Sequence, residues 1–226
     1  MRLIDLVDLI TTREVARVCL IEPPYTEAEC LTIAQRIAEI ESVPTADRTP
    51  SEISALNTYK QLTAGPMGSA SRMTGYSYKR YDIKPSDFMN PATIEEDLKQ
   101  CLNMNDPGFS VTKCGDSYVI MQADCPESKM LVSVLIKNAT PQTALAELTK
   151  LLKTNDIGLS TDSATHFLNQ HQNQLKRKIN LSVANEPLSL ALTRFTEEIG
   201  PDFVWRISGR KDRRVLVLRK MNVRTD

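Results

Sequence analysis

The stretch Lys137–Leu148, "KNATPQTALAEL", decides the fold, because a closely related stretch, "ANEPLSLALTRF", occupies Ala184–Phe195, 47 residues further on. Both stretches place an Ala-Leu pair six residues after an asparagine, which is Asn138 in the first and Asn185 in the second. The runs before them, "LVSVLIK" and "INLSV", alternate apolar and polar residues as half-buried strands do, and the apolar residues after them recur at helical spacing. The sequence therefore predicts a strand, turn and helix unit that occurs at least twice.

Twice that spacing, 94 residues, relates the last unit to an earlier one that begins near residue 91. Ile94 then aligns with Leu188. Gly115, between "FSVTK" and "SYVIMQ", aligns with Gly209, between "DFVWRI" and "VLVLRK". Both units are predicted to run helix, strand, strand. The middle copy differs, because its return strand is replaced by residues 162–175, which predict a polar helix.

One such unit has too little core to be stable alone, so neighbouring units must pack together. The predicted fold class is therefore α+β, with repeated βαβ(β) units packed as small sheets with helices on one face. Residues 1–62 are predicted to form a helical N-terminal region, with capping boxes at Thr26/Glu29 and Thr49/Glu52. Residues 63–89 read as a Gly/Ser/Tyr-rich linker, and residues 90–226 as the α+β domain.

The composition favours no particular class of ligand, since Lys plus Arg and Asp plus Glu both count 28. Five cysteines without a CxxC pair, and only two histidines, do not fit a structural zinc site or a thioredoxin-like redox site. Two readings of the cysteines stay open: buried thiols, or a disulfide among Cys101, Cys114 and Cys125. Charges interrupt the apolar N-terminus, so we predict neither a signal peptide nor a transmembrane segment.

No constellation in the sequence predicts catalysis. His166 and His171 stand five residues apart, whereas helical metal ligands need a spacing of three or four. Phosphate loops, GxSxG elbows and HExxH motifs are missing from the sequence. We therefore expect no catalytic, cofactor-binding or metal-binding residues, and a protein that is not an enzyme.

Two features could bind a partner. The first is a basic C-terminal hairpin, whose last strand we also expect to offer an open sheet edge. The second is the segment "TGYSYKRYDIK", which mixes aromatic and basic residues as interfaces and base-stacking surfaces do. A solvated turn and a loop without function are the alternatives. The candidate interaction surface comprises Arg206, Arg210, Lys211, Arg213, Arg214, Arg219 and Lys220 in the hairpin, and Tyr76, Tyr78, Lys79, Arg80 and Tyr81 in the segment.

The repeated unit, clearest in "INLSVANEPLSLALTRFTEEIGPDFVWRI", resembles the short N-terminal module shared by secretins and TonB-dependent receptors, over residues 130–220. The resemblance implies a small α+β domain without catalysis that binds other proteins in the periplasm, within a secretion, pilus or receptor assembly. The insertion around residues 162–175, the lack of a visible signal peptide and the N-terminal region depart from that module. They put the periplasmic location in doubt: without a removed signal peptide, the expected location is the cytoplasm.

The sequence thus predicts a non-enzymatic structural or adaptor protein that mediates protein contacts in a larger assembly, with other proteins or with copies of itself. A cell-envelope secretion, pilus or receptor complex is the expected setting. The alternative is a nucleic-acid-associated protein that uses the basic C-terminal hairpin, whose binding should fall steeply with salt.

Overall fold

A computed structural model describes residues 2–13, 15–48, 50–64, 73–77, 84, 88, 90–105, 108–154, 158–172, 175 and 177–221. These residues form α-helices and strands that we number in chain order. The helices are α1 (Leu3–Thr12), α2 (Ile33–Glu41), α3 (Pro50–Ala64), α4 (Ile94–Asn105), α5 (Pro141–Thr154), α6 (Asp162–Gln170) and α7 (Leu188–Ile199). The strands are β1 (Arg17–Ile21), β2 (Cys30–Thr32), β3 (Met73–Ser77), β4 (Phe109–Cys114), β5 (Ser117–Gln122), β6 (Leu131–Ala139), β7 (Leu159–Ser160), β8 (Ile179–Pro187), β9 (Phe203–Arg210) and β10 (Arg213–Lys220).

The largest sheet has six strands in the order β4-β5-β1-β9-β10-β7. Strand β1 lies in its interior and runs parallel to both β5 and β9. The hairpins β4/β5 and β9/β10 are antiparallel, and β7 adds a short parallel strand beside β10. Two further pairs, β2 with β3 and β6 with β8, form two-stranded antiparallel sheets. The α+β class is therefore confirmed.

Strand β1 separates two hydrophobic cores, because its side chains alternate between the faces of the sheet. Val18 and Leu20 join a core built with α1 and α4. Cys19 and Ile21 join a larger core built with α5, α7 and the β6/β8 sheet. The large sheet thus carries helices on both faces. The prediction of small sheets with helices on one face is wrong for this sheet, because β1 joins the two hairpins into one sheet.

The prediction of a helical N-terminal region is wrong at β1. The run "RVCLI" is short, fully apolar apart from its first residue, and ended by Pro23 and Pro24. Such a run has the same periodicity in a buried strand as in a buried helix, so periodicity could not decide between them. Since β1 lies between β5 and β9, residues 1–62 and the predicted α+β domain share one sheet.

The Thr26/Glu29 capping box is present, but it has a different role from the one predicted, and Thr49 of the second predicted box lies outside the described residues. The Thr26/Glu29 box closes a single 3-10 turn that leads into β2. Helix α2 begins later, where the Thr32 hydroxyl accepts from the Gln35 amide at 3.1 Å and the Gln35 side chain accepts from the Thr32 amide at 2.8 Å. Helix α3 begins at Pro50, as predicted.

The strands β6 and β8 are related by a local two-fold axis at the pair Leu135 and Ser182. Asn138 and Asn185 adopt left-handed backbone conformations, with φ of 51° and 54°. Each lies at a register shift of the ladder. The Asn138 amide donates to Asn180 Oδ1 at 3.0 Å, and the Asn185 amide donates to Ser133 Oγ at 2.8 Å. In the second bond the donor lies 47 residues later in the chain and the acceptor lies 47 residues earlier, as the two-fold relation requires.

The helices of the two units repeat with the same displacement, since α5 begins at Pro141 and α7 at Leu188. Their apolar stripes occupy equivalent positions and enter the same core. The equivalent buried apolar residues are Ala144, Leu145, Leu148 and Leu152 in α5, and Ala191, Leu192, Phe195 and Ile199 in α7. The predicted unit is therefore present twice, as a strand, a turn at a left-handed asparagine and a helix.

The 94-residue repeat also holds in element order, because α4, β4 and β5 are matched by α7, β9 and β10. In the sheet, β4 and β5 run in the opposite direction to their equivalents β9 and β10. The helices α4 and α7 lie on opposite faces of the sheet. Gly115 and Gly209 both have positive φ, of 57° and 119°. At Gly209 a Cβ atom would stand 2.4 Å from the Arg213 carbonyl oxygen, so this position requires glycine.

The middle copy departs from the repeat as the sequence predicts, with the short strand β7 followed by the helix α6. Strand β7 pairs with β10 at Arg214 and Val215, and α6 packs along β10. The prediction that the last strand is an open edge is therefore wrong at these residues. Position in the sequence does not determine position in the sheet, because β7 comes earlier in the chain and still lies outside β10.

Candidate interaction surface

Two arginines of the basic hairpin are buried rather than exposed: Arg206 is 6% and Arg214 is 5% accessible. Arg206 Nη1 lies 3.3 Å from Asp8 Oδ1, and Arg219 Nη1 lies 2.8 Å from Asp8 Oδ2. Asp8 belongs to α1, so these ion pairs join the first helix to the last hairpin. Since Arg206 is buried and paired with Asp8, it does not belong to an exposed basic surface.

Arg214 connects three segments from the interior of the protein. Its Nε lies 2.6 Å from Glu127 Oε1, and its Nη1 donates to the Gly209 carbonyl at 2.9 Å. Its Nη2 donates to the backbone carbonyl of Glu22, directly after β1. A buried arginine with these partners holds the fold together, and it is not available to a ligand.

Arg210 is half-buried and contacts Glu27 at 3.1 Å and Asp212 at 2.9 Å. The hairpin cations that are exposed and have no ion pair with any described residue are Lys211, Arg213 and Lys220. The basic surface that the described hairpin offers to a nucleic acid is therefore smaller than the sequence suggests. Sequence reasoning missed the partner carboxylates because they come from distant segments; the one local signal was an aspartate, Asp8, inside the apolar run "LIDLVDLI".

Glu22 is the most strongly perturbed carboxyl group of this buried cluster. Burial raises its pKa from an ordinary 4.5 to about 7, although Arg206, Arg214 and Arg2 lower it. Its Oε2 atom is buried and accepts no hydrogen bond from the described residues. A pocket of about 30 Å³ beside Asp8 and Arg206 has room for about one or two water molecules.

Most of the tyrosine-containing segment falls outside the described residues. Tyr78, Lys79, Arg80 and Tyr81 lie there, and Tyr76 is described only as part of the backbone of β3. The contribution of these residues to the candidate surface stays a prediction.

The cysteines and histidines are described and occupy ordinary structural positions. All five cysteines are free thiols, and burial raises the pKa of Cys19 to about 12 and that of Cys125 to about 11. His171 stacks on Phe167 with ring centroids 4.3 Å apart. Among the residues that the structure describes, no group of three or more His, Cys, Asp or Glu side chains could hold a metal ion.

The outer face of the β6/β8 sheet carries apolar side chains that face solvent. Leu131 is 52% and Leu135 is 67% accessible, while their neighbours Val132 and Ile136 point into the core. Across the ladder, Leu131 lies opposite Pro187 and Leu135 lies opposite Ser182. These two leucines are two of the four large hydrophobic residues that are exposed among the described residues, and they make this face a candidate contact surface.

The two outer edges of this sheet differ. At the edge of β8, Arg194 Nη1 donates to the Ser182 carbonyl at 3.2 Å, and the Asn180 amide donates to Glu198 Oε2 at 3.2 Å. Side chains of α7 therefore occupy backbone groups along β8. Strand β6 is paired on one side by β8, and within the described part of the chain no strand lies on its other side.

Among the described residues no helix is long and apolar enough to cross a membrane. A scan against protein-family models and searches of curated proteins and of solved structures find no match to this chain.

Proposed function

We propose that this protein is a non-enzymatic adaptor that mediates protein contacts within a larger assembly. The observation that carries the proposal is the outer face of the β6/β8 sheet, where Leu131 and Leu135 lie exposed while the inner face packs into the hydrophobic core. The resemblance of residues 130–220 to the module of secretins and TonB-dependent receptors supports a cell-envelope assembly as the setting.

The test is a photo-crosslinking experiment in native extract. A crosslinking amino acid at Ser133, between the two exposed leucines, should yield a defined protein adduct that Leu131→Asp with Leu135→Asp removes. Met104, on α4, supplies the matched control, because it is 80% accessible and lies outside this face. Met104→Asp should leave the adduct unchanged, and nuclease treatment should have no effect on it.

The same experiment can refute the proposal in favour of the nucleic-acid alternative. RNA or DNA that is recovered with the protein, and is lost when Lys211 and Arg213 are changed to Glu, would favour binding by the basic hairpin. Equal adduct yield from the Asp variants would show that the exposed leucines do not form the contact.

A further inference from the structure

The local two-fold axis allows the two edges of the β6/β8 sheet to be compared position by position. On β8 the capped groups are the Asn180 amide and the Ser182 carbonyl, and the capping side chains are Glu198 and Arg194. Subtracting 47 gives the equivalent backbone groups on β6, at Ser133 and Leu135. The equivalent capping positions on α5 are Leu151 and Glu147.

The α5 residues cannot cap β6 in the way that α7 caps β8. A glutamate has no hydrogen to donate to the Leu135 carbonyl, and the Glu147 carboxylate lies 2.7 Å from Lys150 Nζ. A leucine side chain accepts no hydrogen bond from the Ser133 amide. Among the described residues, helix α7 of the repeat thus closes the β8 edge with side chains, and the equivalent α5 side chains do not close the β6 edge.

We propose that the outer edge of β6 binds an extended segment of a partner protein as a third strand, and that this segment is apolar in its centre and acidic at both ends. This inference rests on the proposed adaptor function and names the kind of partner. The backbone of β6 would supply the hydrogen bonds, and Leu131 and Leu135 would contact the central side chains.

The acidic ends follow from the charges that flank the exposed leucines. Lys129 precedes β6 and Lys137 lies near its end, and both side chains are exposed. Carboxylates at both ends of the bound segment would lie opposite these lysines. Because a lysine stands at each end, the required charge pattern is the same for either direction of the segment.

A second copy of this chain fits the same edge poorly. Antiparallel pairing of two β6 strands about Ser133 would set Leu131 of one copy against Leu135 of the other. It would also set Lys129 of each copy opposite Lys137 of the other, twice in the dimer. Like charges directly opposite each other destabilise a strand pair, so an acidic partner is favoured over self-association.

The probe is a synthetic peptide of sequence DTVTVTVTD, added to the full chain, with backbone amide NMR and hydrogen exchange as the readouts. Binding should slow exchange at the Leu135 amide on β6. The lysine-ended peptide KTVTVTVTK should bind about fivefold more weakly, a difference expected from two exposed ion pairs. A peptide with a central proline, DTVTPTVTD, should lose protection at Leu135 because proline cannot complete the ladder.

Two variants use the repeat as its own control. Glu147→Arg copies Arg194 onto α5, so it should occupy the Leu135 carbonyl and weaken peptide binding, while thermal unfolding stays as in the wild type. Arg194→Ala removes the donor at β8 and should leave protection at Leu135 unchanged. Protection that appears at β4 or β8 instead, or binding that Glu147→Arg does not weaken, would overturn the proposal.

The crosslinking experiment at Ser133 separates this proposal from the adaptor function. If Glu147→Arg leaves the protein adduct intact while the Asp variants at the two leucines remove it, the partner binds the sheet face and not the β6 edge. If all of these variants retain the adduct, the adaptor contact itself lies elsewhere.

Discussion

Replacement of Glu22 by glutamine should change how the stability of the protein depends on pH. The folded state holds the pKa of this carboxyl group at about 7, against an ordinary value of 4.5, because burial disfavours the charged form. Between these two values the folded state binds more protons at Glu22 than the unfolded state does. The free energy of unfolding therefore falls as the pH rises through this window.

The magnitude follows from the difference of about 2.5 pKa units, which at 1.36 kcal/mol each corresponds to about 3 kcal/mol. At pH 5 the destabilisation is only about 0.8 kcal/mol, because Glu22 is protonated in the folded state and this pH lies just above the pKa of 4.5 that holds in the unfolded state. Above pH 8 the carboxylate is charged and the full cost applies. Arg206 and Arg214 lower the cost, and their influence is already contained in the raised pKa.

The assay is urea unfolding of the wild type and Glu22→Gln at several values between pH 5 and pH 8.5. The wild type should lose about 2.5 kcal/mol more than the variant over this range, since glutamine does not ionise. Glu96→Gln, at an exposed carboxyl group on α4, should follow the wild-type profile. Parallel profiles for the wild type and Glu22→Gln, or a wild type that gains stability with pH, would refute the reasoning.

Three further substitutions test the backbone and the buried ion pairs by chemical denaturation. Gly209→Ala should cost about 2 kcal/mol or more, because φ is 119° and the new Cβ would collide with backbone, whereas Gly158→Ala, with open space around it, should change stability by less than about 0.5 kcal/mol. Asp8→Asn should cost about 3 kcal/mol because it leaves Arg206 buried without its counter-ion; a loss below about 1 kcal/mol would contradict this. Asn138→Ala should cost about 1 kcal/mol at its left-handed φ, while Asn138→Gly should be tolerated, and equal losses would argue against backbone strain.

Local patterns predicted the parts of the fold that local contacts decide. The repeat at Asn138 and Asn185, the hairpins at Gly115 and Gly209 and the polar helix α6 all follow from periodicity and turn residues within one segment. The asparagines recur because few residues other than glycine adopt a left-handed φ readily.

Contacts between distant segments could not be predicted in this way. Strand β1 was missed because a five-residue apolar run fits either a buried strand or a helix, and only pairing with β5 and β9 decides between them. The basic hairpin looked accessible because Asp8 and Glu127, which neutralise Arg206 and Arg214, lie far away in the sequence. The difference between the β6 and β8 edges became visible only once both strands were in register.

The interior position of β1 also constrains the order in which the chain can fold. During synthesis β1 emerges early, yet its neighbours at Ser117 and Arg206 are made about 100 and about 190 residues later. Contacts between segments so far apart in sequence form slowly. Until its neighbours are made, β1 therefore has two unpaired edges. The hairpin β9/β10 follows every other strand of the sheet in the chain. The large sheet therefore cannot be complete before this hairpin is made, and a chain that loses β9 leaves β1 as an aggregation-prone edge.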